Sequence, residues 1–140
     1  MVAIPFLVLF SFLPNNTLLP PSFQMAGFTF NSLAASPTPV VNDTAGERGY
    51  RFSNAGVEVA LPATVDAVDL RACSFASPVS IDALDQGGAV VSHQQVANNH
   101  CADFRLLGRN IASLRLVGGN NEGMIVRIGI AIAQCGPSHG

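Results

Sequence analysis

The chain has no lysine and no tryptophan, and its only tyrosine is Tyr50. Its seven basic residues are all arginines: Arg48, Arg51, Arg71, Arg105, Arg109, Arg115 and Arg127. They are scattered, and the formal charge is −2, so there is no basic stripe of the kind that binds nucleic acid. Charged residues are only 11% of the 140, against about 25% in an ordinary soluble domain. Solvation therefore falls to Asn, Ser, Gln, Thr and backbone. A surface with so little charge is poorly protected against association. A partner, another copy or a neighbouring domain is expected to cover part of it.

Other signals are missing too. No segment keeps a 3.6-residue period beyond two turns, so helical crossovers between parallel strands are excluded. There is no G-x-S-x-G, H-E-x-x-H or P-loop motif. The chain is read as not an enzyme. His93 falls in an expected strand, His100 in a loop and His139 in the tail. Cys101 follows His100, but neighbouring strand residues point to opposite faces. No CxxC or Cys/His metal spacing occurs among Cys73, Cys101 and Cys135. Cys73 reads as a core or face residue; Cys101 and Cys135, at strand ends, could bridge in an oxidising compartment. Asp66, Asp69, Asp82, Asp85 and Glu122 could offer oxygens to calcium, which takes six to eight. They form no EF-hand-like loop, so no cofactor is expected and solvated faces and turn caps are the preferred roles.

What is present is alternation. Gly27–Asn31 puts Phe28 and Phe30 on one face. Tyr50–Phe52, Val57–Leu61, Ala67–Phe75, Val79–Ala83, Ala89–Val96, Asp103–Leu107, Ile111–Val117 and Met124–Ala133 follow as strands. Pro62 is expected to stop one, Asp85-Gln86-Gly87-Gly88 to form a hairpin and Gly108-Arg109-Asn110 to form a turn. The expected core is Phe28, Phe30, Phe52, Val59, Leu61, Val68, Leu70, Ile81, Leu106, Leu114, Leu116, Val126, Ile128 and Ile130. Strands this short, with turns every 8–12 residues, predict an all-β antiparallel sandwich or jelly roll. The domain runs over 14–135, after an apolar segment at 1–13 and before a disordered tail at 136–140.

The stretch from Gly56 to Ile132 resembles a bacterial jelly-roll family of the galactose-binding-domain-like type. The resemblance rests on Val57-Glu58-Val59-Ala60-Leu61-Pro62, Val65–Leu70, Phe75-Ala76-Ser77-Pro78-Val79–Asp85 and Gly88-Ala89-Val90-Val91. Leu106-Leu107-Gly108, Ile111, Leu114-Arg115-Leu116, Asn120-Asn121-Glu122 and Ile125–Ile128 continue it. It implies a sugar-binding or adhesion module of a secreted or cell-surface protein. No binding motif of that class matches here, so it carries over no ligand residue.

Alternating strands alternate their loops. Ala76–Pro78, Ala97–His100 and Gly118–Gly123 should share one end, and Asp85–Gly88 and Gly108–Asn110 the other. The first end gathers Asn98, Asn99, His100, Asn120, Asn121 and Glu122. Amides and a carboxylate can donate to and accept from sugar hydroxyls in pairs. The same residues serve ordinary turns, and both readings stand open. Arg109 and Arg127 are candidates for an anion spot, though solubility is the preferred role.

Val2–Leu13 is uncharged and strongly apolar. It is shorter than the about 20 residues of a membrane span, and without a basic n-region it is a poor signal peptide. As a strand it would carry Phe6, Val8, Phe10 and Phe12 on one side and Leu7, Leu9 and Leu13 on the other. Both sides want cover, which points to burial between layers or between subunits. The function classes carried forward are a non-enzymatic extracellular binding module for a glycan, a homo-oligomeric assembly subunit, and a hydrolase accessory domain. Asn15-Asn16-Thr17 and Asn42-Asp43-Thr44 match the glycosylation sequon, a common chance match in an Asn-rich chain.

Overall fold

A computed structural model describes residues 2–34, 36 and 38–134. The Cys135–Gly140 tail, with His139, lies outside the described residues. Apart from two 3₁₀ turns, the regular structure of the described residues is β. The strands are β1 (Val2–Leu9), β2 (Ser22–Met25), β3 (Phe28–Ser32), β4 (Val40–Thr44), β5 (Glu47–Phe52), β6 (Val57–Ser74), β7 (Val79–Asp85), β8 (Val90–Val96), β9 (His100–Gly118) and β10 (Gly123–Gln134). All ten belong to one antiparallel sheet, with the path β4-β5-β10-β6-β9-β7-β8; β3 joins β6, β2 joins β3 and β1 joins β10.

Two strands are much longer than expected. Pro62 does not stop β6, which has 18 residues, and Gly108-Arg109-Asn110 does not form a turn but lies within the 19 residues of β9. Straight, β6 would reach about 60 Å at about 3.3 Å per residue. It cannot be straight. Leu116 lies opposite Val57 at its start, and Gly123 lies opposite Ser74 at its end. The short connection from Gly118 to Gly123 spans at most about 18 Å. The β6/β9 ladder therefore folds over where its register slips, between Ala60 and Val65 and again between Val65 and Ala67. Pro62 falls in that slip, where no ladder donor is needed.

The fold-over makes two layers. One holds β2, β3, Val57–Ala60 of β6, Ile111–Gly118 of β9, β7 and β8. The other holds His100–Leu107 of β9, Ala67–Ser74 of β6, β10, β5, β4 and β1. Aromatic rings join them. Phe30 and Phe23 of the first layer lie 5.6 and 5.9 Å from Tyr50 of the second, centroid to centroid. Phe10 touches both Phe30 and Tyr50, at 5.4 and 5.6 Å. The arrangement is consistent with the expected sandwich.

Most of the expected core is buried. Leu61 and Val126 are only partly so. Val126 misses because β10 slips register between Ile125 and Arg127, which buries Met124 and Ile125 side by side. Gly49 makes this possible: a Cβ there would lie 2.5 Å from the Met124 side chain. The N-terminal segment is a core strand on one face. β1 pairs along β10 from Val2 to Leu9, and Val8 and Phe10 are buried. On the other face Leu7 is 49% exposed, and Phe12 beyond the strand is 81% exposed.

Cys73 and Cys101 form a disulfide across paired positions of β6 and β9, with Cα atoms 4.0 Å apart. The possible Cys101–Cys135 bridge is therefore not formed, because Cys101 is taken by Cys73. A paired antiparallel position brings two Cβ atoms within bridging reach, whereas Cys135 follows a different strand.

Candidate functional site

The two ends of the layered sheet carry different chemistry. At the first end the loops converge as parity requires. Gly118 N–H donates to the Asn54 carbonyl at 3.0 Å, and Gly119 N–H to the Pro78 carbonyl at 3.1 Å. His100 and Gly123 both lie opposite Ser74, on the two sides of β6. Asn98, Asn99, His100, Asn120, Asn121 and Glu122 are all exposed here.

Much of this asparagine chemistry holds the turns. Asn121 Oδ1 accepts from the Asn54 N–H at 2.8 Å, and Asn54 Oδ1 accepts from the Asn120 N–H at 3.0 Å. Asn99, Asn120 and Asn121 have φ of 57°, 50° and 68°. That left-handed region favours Asn among non-glycine residues. Among the described residues, the side chains of Asn98, Asn99, Asn120 and Glu122 make no hydrogen bond within the chain and are exposed.

The other end has a cleft. It is about 470 Å³ and lies where β6 and β9 turn from one layer to the other. Its lining is partly apolar, from Val65, Ile130 and Ile132, and partly polar, from Thr64, Asp66, Asp69, Arg105 and Asn110. Asp66 Oδ1 accepts from the Asn110 N–H at 3.0 Å, which ties the corner of β6 to the corner of β9. Asn110 has φ 56°, so its backbone turns there without breaking the strand. Asp69 and Arg105 face each other in the β6/β9 register, and Arg105 Nη1 donates to both Asp69 oxygens at 3.0 and 3.1 Å. Two carboxylates, a guanidinium, an amide and a hydroxyl thus share the cleft with apolar side chains. Such a set can exchange hydrogen bonds with hydroxyls while the apolar side chains meet C–H groups.

The candidates for metal and catalysis are spread out. Asp82 holds the His93 ring through Nδ1 at 2.6 Å, and Asp85 Oδ1 accepts from Gly87 and Ala89 N–H at 2.9 Å. Among the described residues no three His, Cys, Asp or Glu side chains converge. Cys101 is bonded to Cys73, which removes the thiol from the His100–Cys101 pair. Arg127 is bound to Asp103, and Arg71 joins Asp103 and Glu47 on the same outer face. The Arg71 guanidinium holds the Glu47 carboxyl below its usual range. An Arg127 anion spot is therefore not formed; its charge is already matched.

The cleft was missed in the sequence. Asp66, Asp69, Arg105 and Asn110 meet only because β6 and β9 bend together, and no local spacing marks that. Among the described residues no helix is long and apolar enough to cross a membrane. Neither a protein-family model nor a curated protein matches the chain.

Proposed function

We propose that this chain is a non-enzymatic, extracytoplasmic binding module of the jelly-roll, galactose-binding-like kind, and that its ligand is a carbohydrate held in the corner cleft. The observation that carries the reading is the cleft itself, lined by apolar Val65, Ile130 and Ile132 together with Asp66, Asp69, Arg105 and Asn110. Sugars offer paired donors and acceptors on one side and C–H patches on the other. The lining contains no aromatic residue. The Cys73–Cys101 disulfide supports an oxidising location.

The test is a glycan array probed with wild type and Arg105→Ala. The Arg105–Asp69 pair is 63% exposed on both sides, so removing it changes stability little. Binding by wild type and its loss in a folded Arg105→Ala support the proposal. No binding by wild type, or equal binding by both, overturns it.

A second reading, self-assembly, draws on β1. Among the described residues β1 pairs only with β10, and Leu7 stands exposed beside that open edge. The assembly set Phe6, Leu7, Val8, Leu9, Phe10 and Phe12 divides in this reading. Val8 and Phe10 are core, Phe6 and Leu9 are half-covered, and Leu7 and Phe12 are exposed.

A further inference from the structure

The corner cleft does not end at Asn110. A second hollow of about 270 Å³ begins there, lined by Asn110, Arg109, Val91, Asp85, Gln86 and Gly87. Asn110 lines both hollows. The second is smaller than the about 300 Å³ at which ligand pockets usually begin, so by itself it has room for little more than part of a ligand. The close fit of two elements sets its position. A Cβ at Gly108 would lie 2.8 Å from Val91 Cγ2, so only glycine lets β9 pass this near β8.

The two hollows differ in charge chemistry. In the first, the arginine is already neutralised: Arg105 is bound by Asp69, and Asp66 adds a further carboxylate. In the second, Arg109, like Arg51 elsewhere, has no ion-pair partner among the described residues, although Arg48, Arg71, Arg105, Arg115 and Arg127 all have one. The neighbouring carboxylate, Asp85, is directed to the N–H groups of Gly87 and Ala89. A guanidinium presented this way matches a carboxylate through two parallel hydrogen bonds.

We infer that the ligand is an acidic oligosaccharide with its neutral sugar in the Asp66/Asp69 cleft and a uronic-acid carboxylate on Arg109. The inference rests on the carbohydrate reading above and adds its length, its charge and its direction along the groove. The carboxylate lies at the Arg109 end because Arg109 is unpaired beside the single carboxylate of Asp85, whereas at the other end Arg105 is already bound by Asp69 and Asp66 leaves a net negative charge.

The test is calorimetric titration with an aldobiouronic acid, a hexuronic acid joined to a neutral hexose, and with its carboxyl-reduced neutral counterpart. Wild type is expected to bind the acid about tenfold more tightly, the equivalent of about 1.4 kcal/mol. Arg109→Gln, at an exposed and unpaired position, is expected to abolish that preference, bringing its affinity for the acid down to its affinity for the neutral disaccharide. Equal affinity of wild type for the two sugars, or an acid preference that survives Arg109→Gln, overturns the extension. If the neutral sugar still binds and is lost in Arg105→Ala, the carbohydrate reading stands without it. If wild type binds neither sugar, both fall.

Discussion

The backbone N–H of Asn110 donates to Asp66 Oδ1 at 3.0 Å, joining two strands at the points where they change layer. A corner needs such a tie because its register slip leaves ladder groups unpaired. Asp66→Ala is expected to lower stability by about 1 kcal/mol, as loss of one hydrogen bond to a charged acceptor in an exposed setting. Chemical denaturation measures this. Because the same carboxylate walls the cleft, sugar binding should fall as well. A variant of unchanged stability and unchanged binding would remove the corner tie from the account.

The disulfide closes a sequence separation of 28 residues. Loop-closure entropy for that length is worth about 3–4 kcal/mol. The Cys73→Ser/Cys101→Ser double variant should therefore melt well below wild type, and reduction of wild type should have a similar effect. Thermal melts with and without a reductant decide it. A reductant that leaves the melting temperature unchanged would show that the bond adds nothing to folding.

Tyr50 lies at the centre of the aromatic cluster with its hydroxyl buried and, among the described residues, unpartnered. Burial pushes its pKa above the ordinary value near 10. The raised folded pKa means that its share of stability is intact below pH 10. Above that the unfolded chain ionises while the folded one resists, so stability is lost as pH rises. Tyr50→Phe removes an unsatisfied group. It is expected to raise stability at neutral pH by about 1 kcal/mol and to flatten the decline above pH 10. Denaturation curves at pH 8 and at pH 10.5, taken as about the two sides of that ordinary value, test both effects.

The open edge of β1 gives the assembly reading its test. Pro5, opposite Ala131, has no N–H, so its nitrogen suits the outer side of an edge strand. A pairing of two copies centred on Leu7 would lose only the bonds that Pro5 cannot donate. Leu7→Lys puts a charge on that edge, and light scattering should report a smaller assembly for the variant than for wild type. The segment cannot simply be deleted for this purpose, because Val8 and Phe10 belong to the core. Wild type that is monomeric at high concentration would end the assembly reading.

Alternation revealed the inward faces of Val57, Val59, Val68, Leu70, Leu114 and Leu116 because each depends on neighbours two residues away. The corners were not legible. Pro62 and Gly108 read locally as stops, while in the folded chain pairing on both sides carries β6 and β9 through them. The Cys73–Cys101 bond and the pairing of β1 with β10 depend on a register set by distant segments. The loop end was legible because hairpin parity survives whether a strand turns or bends. For its asparagines the sequence left ligand and turn roles both open; the side chains of Asn54 and Asn121 accept from backbone N–H groups of the neighbouring turns. The cleft has no sequence signature, since its walls come from Asp66, Arg105 and Asn110 on two bent strands.

The central claim is that a sugar binds at the corner and not at the loops. Amide chemical-shift mapping of isotope-labelled protein titrated with the aldobiouronic acid tests it most directly. The amides of Asp66, Ala67, Arg105, Arg109, Asn110 and Ala131 should shift, with Asn98–His100 and Asn120–Glu122 unmoved. Shifts confined to those loops, or no shifts anywhere, would contradict it.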